Sequence, residues 1–347
     1  MTQADVSFEP VPFSDLPGWE EDDHAAALSA FLRSGVENSS EAQAALCGGA
    51  AGARRFFETW FTPHRVIHGV GEGLLTGYYE PVLAGSRVRT GPFQTPVHAR
   101  PPDLVNLVAE SMRGAAGAGL THARKDGELL VPYATREEIE CGALDGLGLE
   151  ILYLADPVDA FFMHVQGSGL IELTDGTRVR LTYDGKNGHP YTSIGRVLIE
   201  TGAFRADELT MEVLGKWLRA DPERGRHLMW RNISYVFFRE LAEAEAPSAI
   251  GAMGVPLTPG RSLAVDTGIH ALGTPIYVVA PALTHVDDLG GPFRRLMIAQ
   301  DVGSAIRGPE RSDIYFGTGS EAGRRAGITR HRGNFFVLLP RGRSGTL

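Results

Sequence analysis

Glycine and proline punctuate this chain from end to end. The 43 glycines and 21 prolines make up 64 of 347 residues, against a usual joint share of roughly 12%. They follow no repeating period, which excludes collagen. A chain broken so often cannot sustain long helices. It reads instead as many short segments joined by tight turns, the signature of a loop-rich β protein. The length suggests about two domains.

The local patterns agree. Asp23 can cap a helix over 25–32. A second helical stretch covers 41–61, with Phe56, Phe57, Trp60 and Phe61 on its buried side. Residues 73–81 read as a strand ending at Pro81. The middle is expected to hold short strands over 149–154, 160–165, 170–173 and 179–183, with Asp175-Gly176 as a hairpin turn. Helices follow at 193–201, stopped by Gly202, and at 209–219. The last third returns to apolar, β-prone runs at 262–265, 275–279, 294–299 and 334–338.

Charge and cysteine content narrow the function. The formal net charge is −9, which argues against nucleic acid as a partner. Two cysteines, Cys47 and Cys141, cannot build a disulfide scaffold or a thiolate zinc site, and two free thiols are expected. The histidines show no tight metal spacing, and no Walker loop or GxSxG elbow is present. Neither a metal nor a cofactor is expected. No run of 18 apolar residues exists. The first 32 residues carry seven acidic side chains and no Lys or Arg, so no secretory leader is legible.

Three aspartates carry the clearest chemistry. Asp266 (Ala-Val-Asp-Thr-Gly), Asp301 (Ala-Gln-Asp-Val-Gly) and Asp313 (Ser-Asp-Ile-Tyr-Phe-Gly) each end or follow an apolar strand. A strand end holds a carboxylate rigidly, and a nearby glycine lets a ligand approach the backbone. Carboxyls placed together separate their pKa values, which keeps one protonated as a general acid. Each alone also suits a turn cap. Asp266-Thr267-Gly268 matches the aspartic protease signature, but the imperfect second copy at Asp301 lies too close for a second lobe. Tyr78 and Tyr79 beside Glu80 offer the aromatic faces that sugar sites favour. Gln166 and Ser168 sit on a glycine-rich turn, and Lys186 and Asn187 on a polar, glycine-bracketed one.

Taken together and in order, these segments resemble the bacterial lytic murein transglycosylase A family. The matching pieces are Thr76-Gly-Tyr-Tyr-Glu-Pro, Phe161-Phe-Met-His-Val-Gln-Gly-Ser-Gly, Tyr183-Asp-Gly-Lys-Asn-Gly-His-Pro-Tyr and Ser193-Ile-Gly-Arg. They continue with Asn232-Ile-Ser-Tyr-Val-Phe-Phe, Gly251-Ala-Met-Gly-Val-Pro-Leu-Thr and Leu263-Ala-Val-Asp. The last are Ala299-Gln-Asp-Val-Gly-Ser-Ala-Ile and Asp313-Ile-Tyr-Phe-Gly-Thr-Gly. The resemblance implies a mainly β fold. A double-psi β-barrel would be formed by 1–93 and 197–347, and a smaller β domain, 94–196, inserted to form the other wall of a glycan groove. The final segment resembles the domain named for its three aspartates.

The implied activity is non-hydrolytic cleavage of the β-1,4 bond between N-acetylmuramic acid and N-acetylglucosamine, leaving 1,6-anhydromuramic acid. By resemblance Asp301 is the acid/base, with Asp266 and Asp313 its neighbours. Tyr78, Glu80, Gln166, Ser168, Lys186 and Asn187 fall in groove motifs and are expected to bind substrate. Ser304 stands where the family commonly has a second glycine. The implied partners are peptidoglycan strands and other cell-wall enzymes, and the implied place is the periplasm at the outer membrane. The family's leader and lipid-bearing cysteine are not visible in this chain. A hydrolase of the same glycan and a non-catalytic glycan binder are the competing readings.

Overall fold

A computed structural model of the chain describes residues 6–35, 39–69, 71, 73–109, 119–242, 246–286 and 290–342. The fold is mainly β and divides into two compact units. The first comprises 1–78, 250–317 and 329–347, and the second 79–249 and 318–328.

A nine-stranded sheet dominates the first unit. Its order is Ser7–Pro10, Phe61–Ile67, Asn334–Pro340, Pro275–Ala280, Phe293–Val302, Ser262–Val265, Arg311–Thr318, Leu74–Glu80 and Arg330–Arg332. Pro275–Ala280 and Ser262–Val265 are buried along their whole length, which explains why they read as unbroken apolar runs rather than as alternating ones. Ser262–Val265 pairs parallel to Phe293–Val302 and antiparallel to Arg311–Thr318. Among the described residues no pairing joins the two edge strands.

Helices cover the apolar cluster of this unit. His24–Arg33 is capped by Asp23, whose side chain accepts from the Ala26 amide. The single helix expected over 41–61 is two, Ser39–Cys47 and Gly49–Trp60. Gly49 takes a left-handed φ of 62°, a conformation that interrupts a helix and that glycine adopts without penalty. The break lets Phe56 and Phe57 close on Phe31, with ring centroids 5.9 and 5.8 Å away.

The second unit holds a six-stranded sheet ordered Val236–Ala242, Arg178–Lys186, Ser168–Leu173, Val82–Ser86, Glu150–Leu154 and Thr95–His98. A three-stranded sheet and several helices complete it. Residues 94–196 all fall inside this unit, but its limits are wider than that expected insert. Strand 82–86 pairs parallel to 168–173, and strand 236–242 pairs with 178–186, so sheet hydrogen bonds bind both flanks to it. The segment 160–165, expected as a strand, lies in the helix Pro157–Gln166. Asp156 caps that helix through the Val158 amide and Pro157 occupies its first turn, both helix-start signals. Cys47 and Cys141 are exposed free thiols.

Candidate active site

Two of the three aspartates meet across one short strand. A register shift between Leu263 and Ala264 sets Leu263 opposite Ala299 but Ala264 opposite Asp301. The residue passed over is Gln300, and its side chain explains the bulge. It is fully buried and donates to the Ala30 carbonyl and the Ser34 hydroxyl, both at 2.8 Å, while accepting from Ser262 Oγ at 2.6 Å. A bulge of this kind re-aims the next side chain, here Asp301. On its other side Ala264 pairs with Asp313. Laterally paired residues face the same side of a sheet, so Asp301, Ala264 and Asp313 form one row. Two strand spacings separate the aspartate backbones by roughly 10 Å.

Asp301 is held through Oδ1, which accepts from the backbone amides of Ala252 and Val302, each at 2.9 Å. The first of these requires the 251–254 turn to lie against the strand. Gly251 permits it, since a Cβ there would come within 2.5 Å of the Gln300 carbonyl oxygen.

Asp313 is tied differently. Its Oδ1 accepts from Thr76 Oγ1 and from the Arg311 guanidinium, and Arg311 also donates to Thr76 Oγ1 at 3.0 Å. Thr76 and Tyr78 alternate onto one face of their strand. The Tyr78 hydroxyl is buried with no partner of standard hydrogen-bond geometry among the described residues, and its ring packs 5.3 Å from that of Tyr315. Burial first, and then the adjacent Asp301 carboxylate, push the Tyr78 phenol well above its usual pKa. Tyr78 therefore stays a neutral O–H donor beside Asp301.

Asp266 behaves as a loop tie. Oδ1 accepts from the Gly268 amide at 3.0 Å and Oδ2 from the Gly308 amide at 2.9 Å. The turn-cap reading thus describes Asp266, and both of its oxygens are engaged by backbone.

The structure places the five remaining sequence-predicted residues in the second unit, and two of them are deep inside it. Glu80 is fully buried, pairs with Arg180 at 2.7 and 3.0 Å and accepts from Thr318 Oγ1 at 2.7 Å. Asn187 is fully buried too; its amide donates to the Ala134 and Ile233 carbonyls and its Oδ1 accepts from the Tyr235 amide. Every polar arm of these two has an internal partner, an arrangement that suits a structural role. Gln166 is half-buried and accepts from the Tyr79 amide at 3.0 Å. Ser168 and Lys186 are buried, and Lys186 donates to the His189 carbonyl at 3.2 Å.

Sequence reading passed over Thr76, Arg311 and the Ala252 amide. The first two had a usable signal, since each stands two residues before a singled-out side chain and so shares its face. The Ala252 contact had none, because a backbone donor leaves no mark in side-chain identity.

Known proteins match the chain throughout. Residues 74–239 match the MltA specific insert domain and 261–339 the 3D domain. A membrane-bound lytic murein transglycosylase A from Escherichia coli K12 is 37% identical over 266 residues, 76% of this chain and 64% of that protein. The match thus spans less than two thirds of that curated relative. A crystal structure of a membrane-bound lytic murein transglycosylase from Agrobacterium tumefaciens superposes with a TM-score of 0.84 at 37% identity, covering 96% of this chain and 98% of that one. E. coli MltA crystallised with bound chitohexaose superposes with a TM-score of 0.69 at 31% identity, covering 98% and 93%. Among the described residues no helix is long and apolar enough to cross a membrane. On sequence and fold alike, this chain belongs to the membrane-bound lytic murein transglycosylase A family.

Proposed function

We propose that the chain is a peptidoglycan lytic transglycosylase of the cell envelope, with Asp301 as its acid and base. One observation carries the assignment. Of the three aspartates, Asp266 has both oxygens engaged by its own loops and Asp313 is ion-paired to Arg311. Asp301 stands beside the neutral Tyr78 hydroxyl and is oriented through backbone amides. The names of its relatives supply the substrate class, and the chitohexaose complex of E. coli MltA supports a glycan ligand.

The reaction needs one carboxyl used twice. Protonated Asp301 donates to the oxygen linking N-acetylmuramic acid to N-acetylglucosamine, and the C1–O bond breaks as that proton arrives. The Asp301 carboxylate then removes the proton from the muramoyl C6 hydroxyl while O6 bonds to C1. The product is 1,6-anhydromuramic acid and the enzyme's proton is restored. The nucleophile is carried by the substrate, so its positioning entropy is largely met before reaction. No second carboxylate is needed to activate water or form a covalent intermediate. Tyr78 would orient Asp301 and Arg311 would neutralise Asp313 next to the reacting centre. Gln166, Ser168 and Lys186 are the polar groups of the second unit assigned to glycan. The sheet of the first unit would belong to a double-psi β-barrel, a reading supported by the parallel pairing of 262–265 with 293–302.

Digestion of purified murein in oxygen-18 water tests the reaction. Anhydro-ended muropeptides without label are expected. Label at the muramoyl C1 with new reducing ends would make the protein a hydrolase.

A further inference from the structure

The second unit carries a cavity of about 460 Å³ among its helices, a size within the usual range for ligand sites. Its floor is apolar, formed by Val197, Leu198 and Leu228, and two half-buried indoles, Trp217 and Trp230, line it. Charge is arranged unevenly around it. The lining includes Arg224 and Arg231, and among the described residues neither has a carboxylate partner. The nearby Glu140 is already engaged, by Trp230 Nε1 at 2.7 Å and Arg136 at 3.0 Å. Glu137 is the one acidic residue in the lining. In a chain of net charge −9, this is a locally basic recess with a single negative point.

The geometry also limits what can enter. The Arg224 guanidinium carbon lies 3.9 Å from the centroid of the Trp217 ring. That face is therefore covered and cannot stack a sugar. A guanidinium stacked this way keeps its N–H groups in plane and directed outward. One of them donates to the Trp217 carbonyl at 3.1 Å, and the others fit a carboxylate in a fixed orientation. A complementary ligand is a short peptide with at least two carboxylates, one amine and small apolar side chains.

We propose that this recess binds the peptide stem of murein, taking carboxylates on Arg224 and Arg231 and the free amine of its diamino acid on Glu137. The proposal rests on the reading that murein is the substrate, and adds to the glycan site a second one for the stem.

Isothermal titration with the glycan-free tetrapeptide stem tests it. The native chain binds the tetrapeptide. The same peptide with its carboxyls amidated, and an Arg224→Ala/Arg231→Ala double variant of unchanged melting temperature, each bind about tenfold more weakly or worse. No binding by the native chain, equal affinity for the amidated peptide, or displacement of the peptide by chitohexaose would overturn the proposal. Murein turnover by the native chain is measured alongside. Murein cleaved with the stem unbound overturns the stem site alone. Stem bound with murein uncleaved overturns the proposed reaction and upholds the stem site.

Discussion

Asp301 and Asp313 are separated by a single methyl side chain, because both are register partners of Ala264. Ala264 is buried at 3% exposure, so the space above this row is set by the smallness of one residue. A larger side chain there would stand between the carboxyls, where the proposed reaction would place a sugar ring. Ala264→Val is expected to lower murein turnover at least about tenfold while costing roughly 1–3 kcal/mol of stability through overpacking. Initial rates and denaturation midpoints measured together check this. Unchanged turnover would show that the row between the two aspartates is not used.

Glu80 should report on stability rather than on substrate affinity. Its ion pair with Arg180 is buried, at 0% and 3% side-chain exposure. Glu80→Ala leaves the guanidinium buried without its carboxylate, which costs about 3–5 kcal/mol. The urea midpoint should fall markedly, and the fraction that remains folded should keep its KM. A raised KM with an unmoved midpoint would return Glu80 to the glycan site.

These two residues show what could be read in the sequence and what could not. The three aspartates were visible because each borders an apolar run, and the strand at 262–265 was located to the residue. The bulge at Gln300 was not visible, since its cause lies in partners from a distant helix, Ala30 and Ser34. The same holds for Glu80 and Asn187. Polar residues on glycine-rich segments look alike whether they face solvent or satisfy interior backbone. Only burial separates the two, and burial is a property of the whole fold. Local signals did fix the helix at 24–33, whose cap is three residues from its bonded amide. They misjudged 160–165, where an apolar run fits a strand as well as a buried helix.

Four histidines set the acid limit of stability. His24, His98, His164 and His270 are all buried, and in each case burial is the largest cause of a lowered pKa. His164 is lowered well below its usual value, with the Arg136 charge adding to burial. Each therefore takes up a proton less readily when folded than when unfolded, where a histidine titrates near pH 6.5. The unfolded state binds more protons below that pH, so stability falls as pH falls through about 6.5 and is level above it. Urea midpoints at pH 7.5, 6.5 and 5.5 check the sign. A midpoint constant across this range would contradict it.

The three aspartates should separate cleanly on conversion to asparagine. In Asp301→Asn the side-chain oxygen still accepts from the Ala252 and Val302 amides, so the fold and the affinity for murein are retained. The amide cannot donate a carboxylic proton or recover one from the C6 hydroxyl. Turnover is expected to fall at least about a hundredfold, the lower end for general acid–base catalysis. Asp266→Asn replaces one amide-accepting oxygen with an NH₂ group facing either Gly268 or Gly308. The loss there should appear first in the melting temperature, since a buried donor set against a donor costs about 1–3 kcal/mol. Asp313→Asn leaves Arg311 without its anion beside the row, an unpaired positive charge that would disfavour the cationic sugar centre of the proposed reaction. Its turnover should fall by less than that of Asp301→Asn, with binding intact. Rates, murein pull-down and melting temperature for all three variants decide the assignment. Near-normal turnover by Asp301→Asn alongside an inactive Asp313→Asn would transfer the acid role to Asp313.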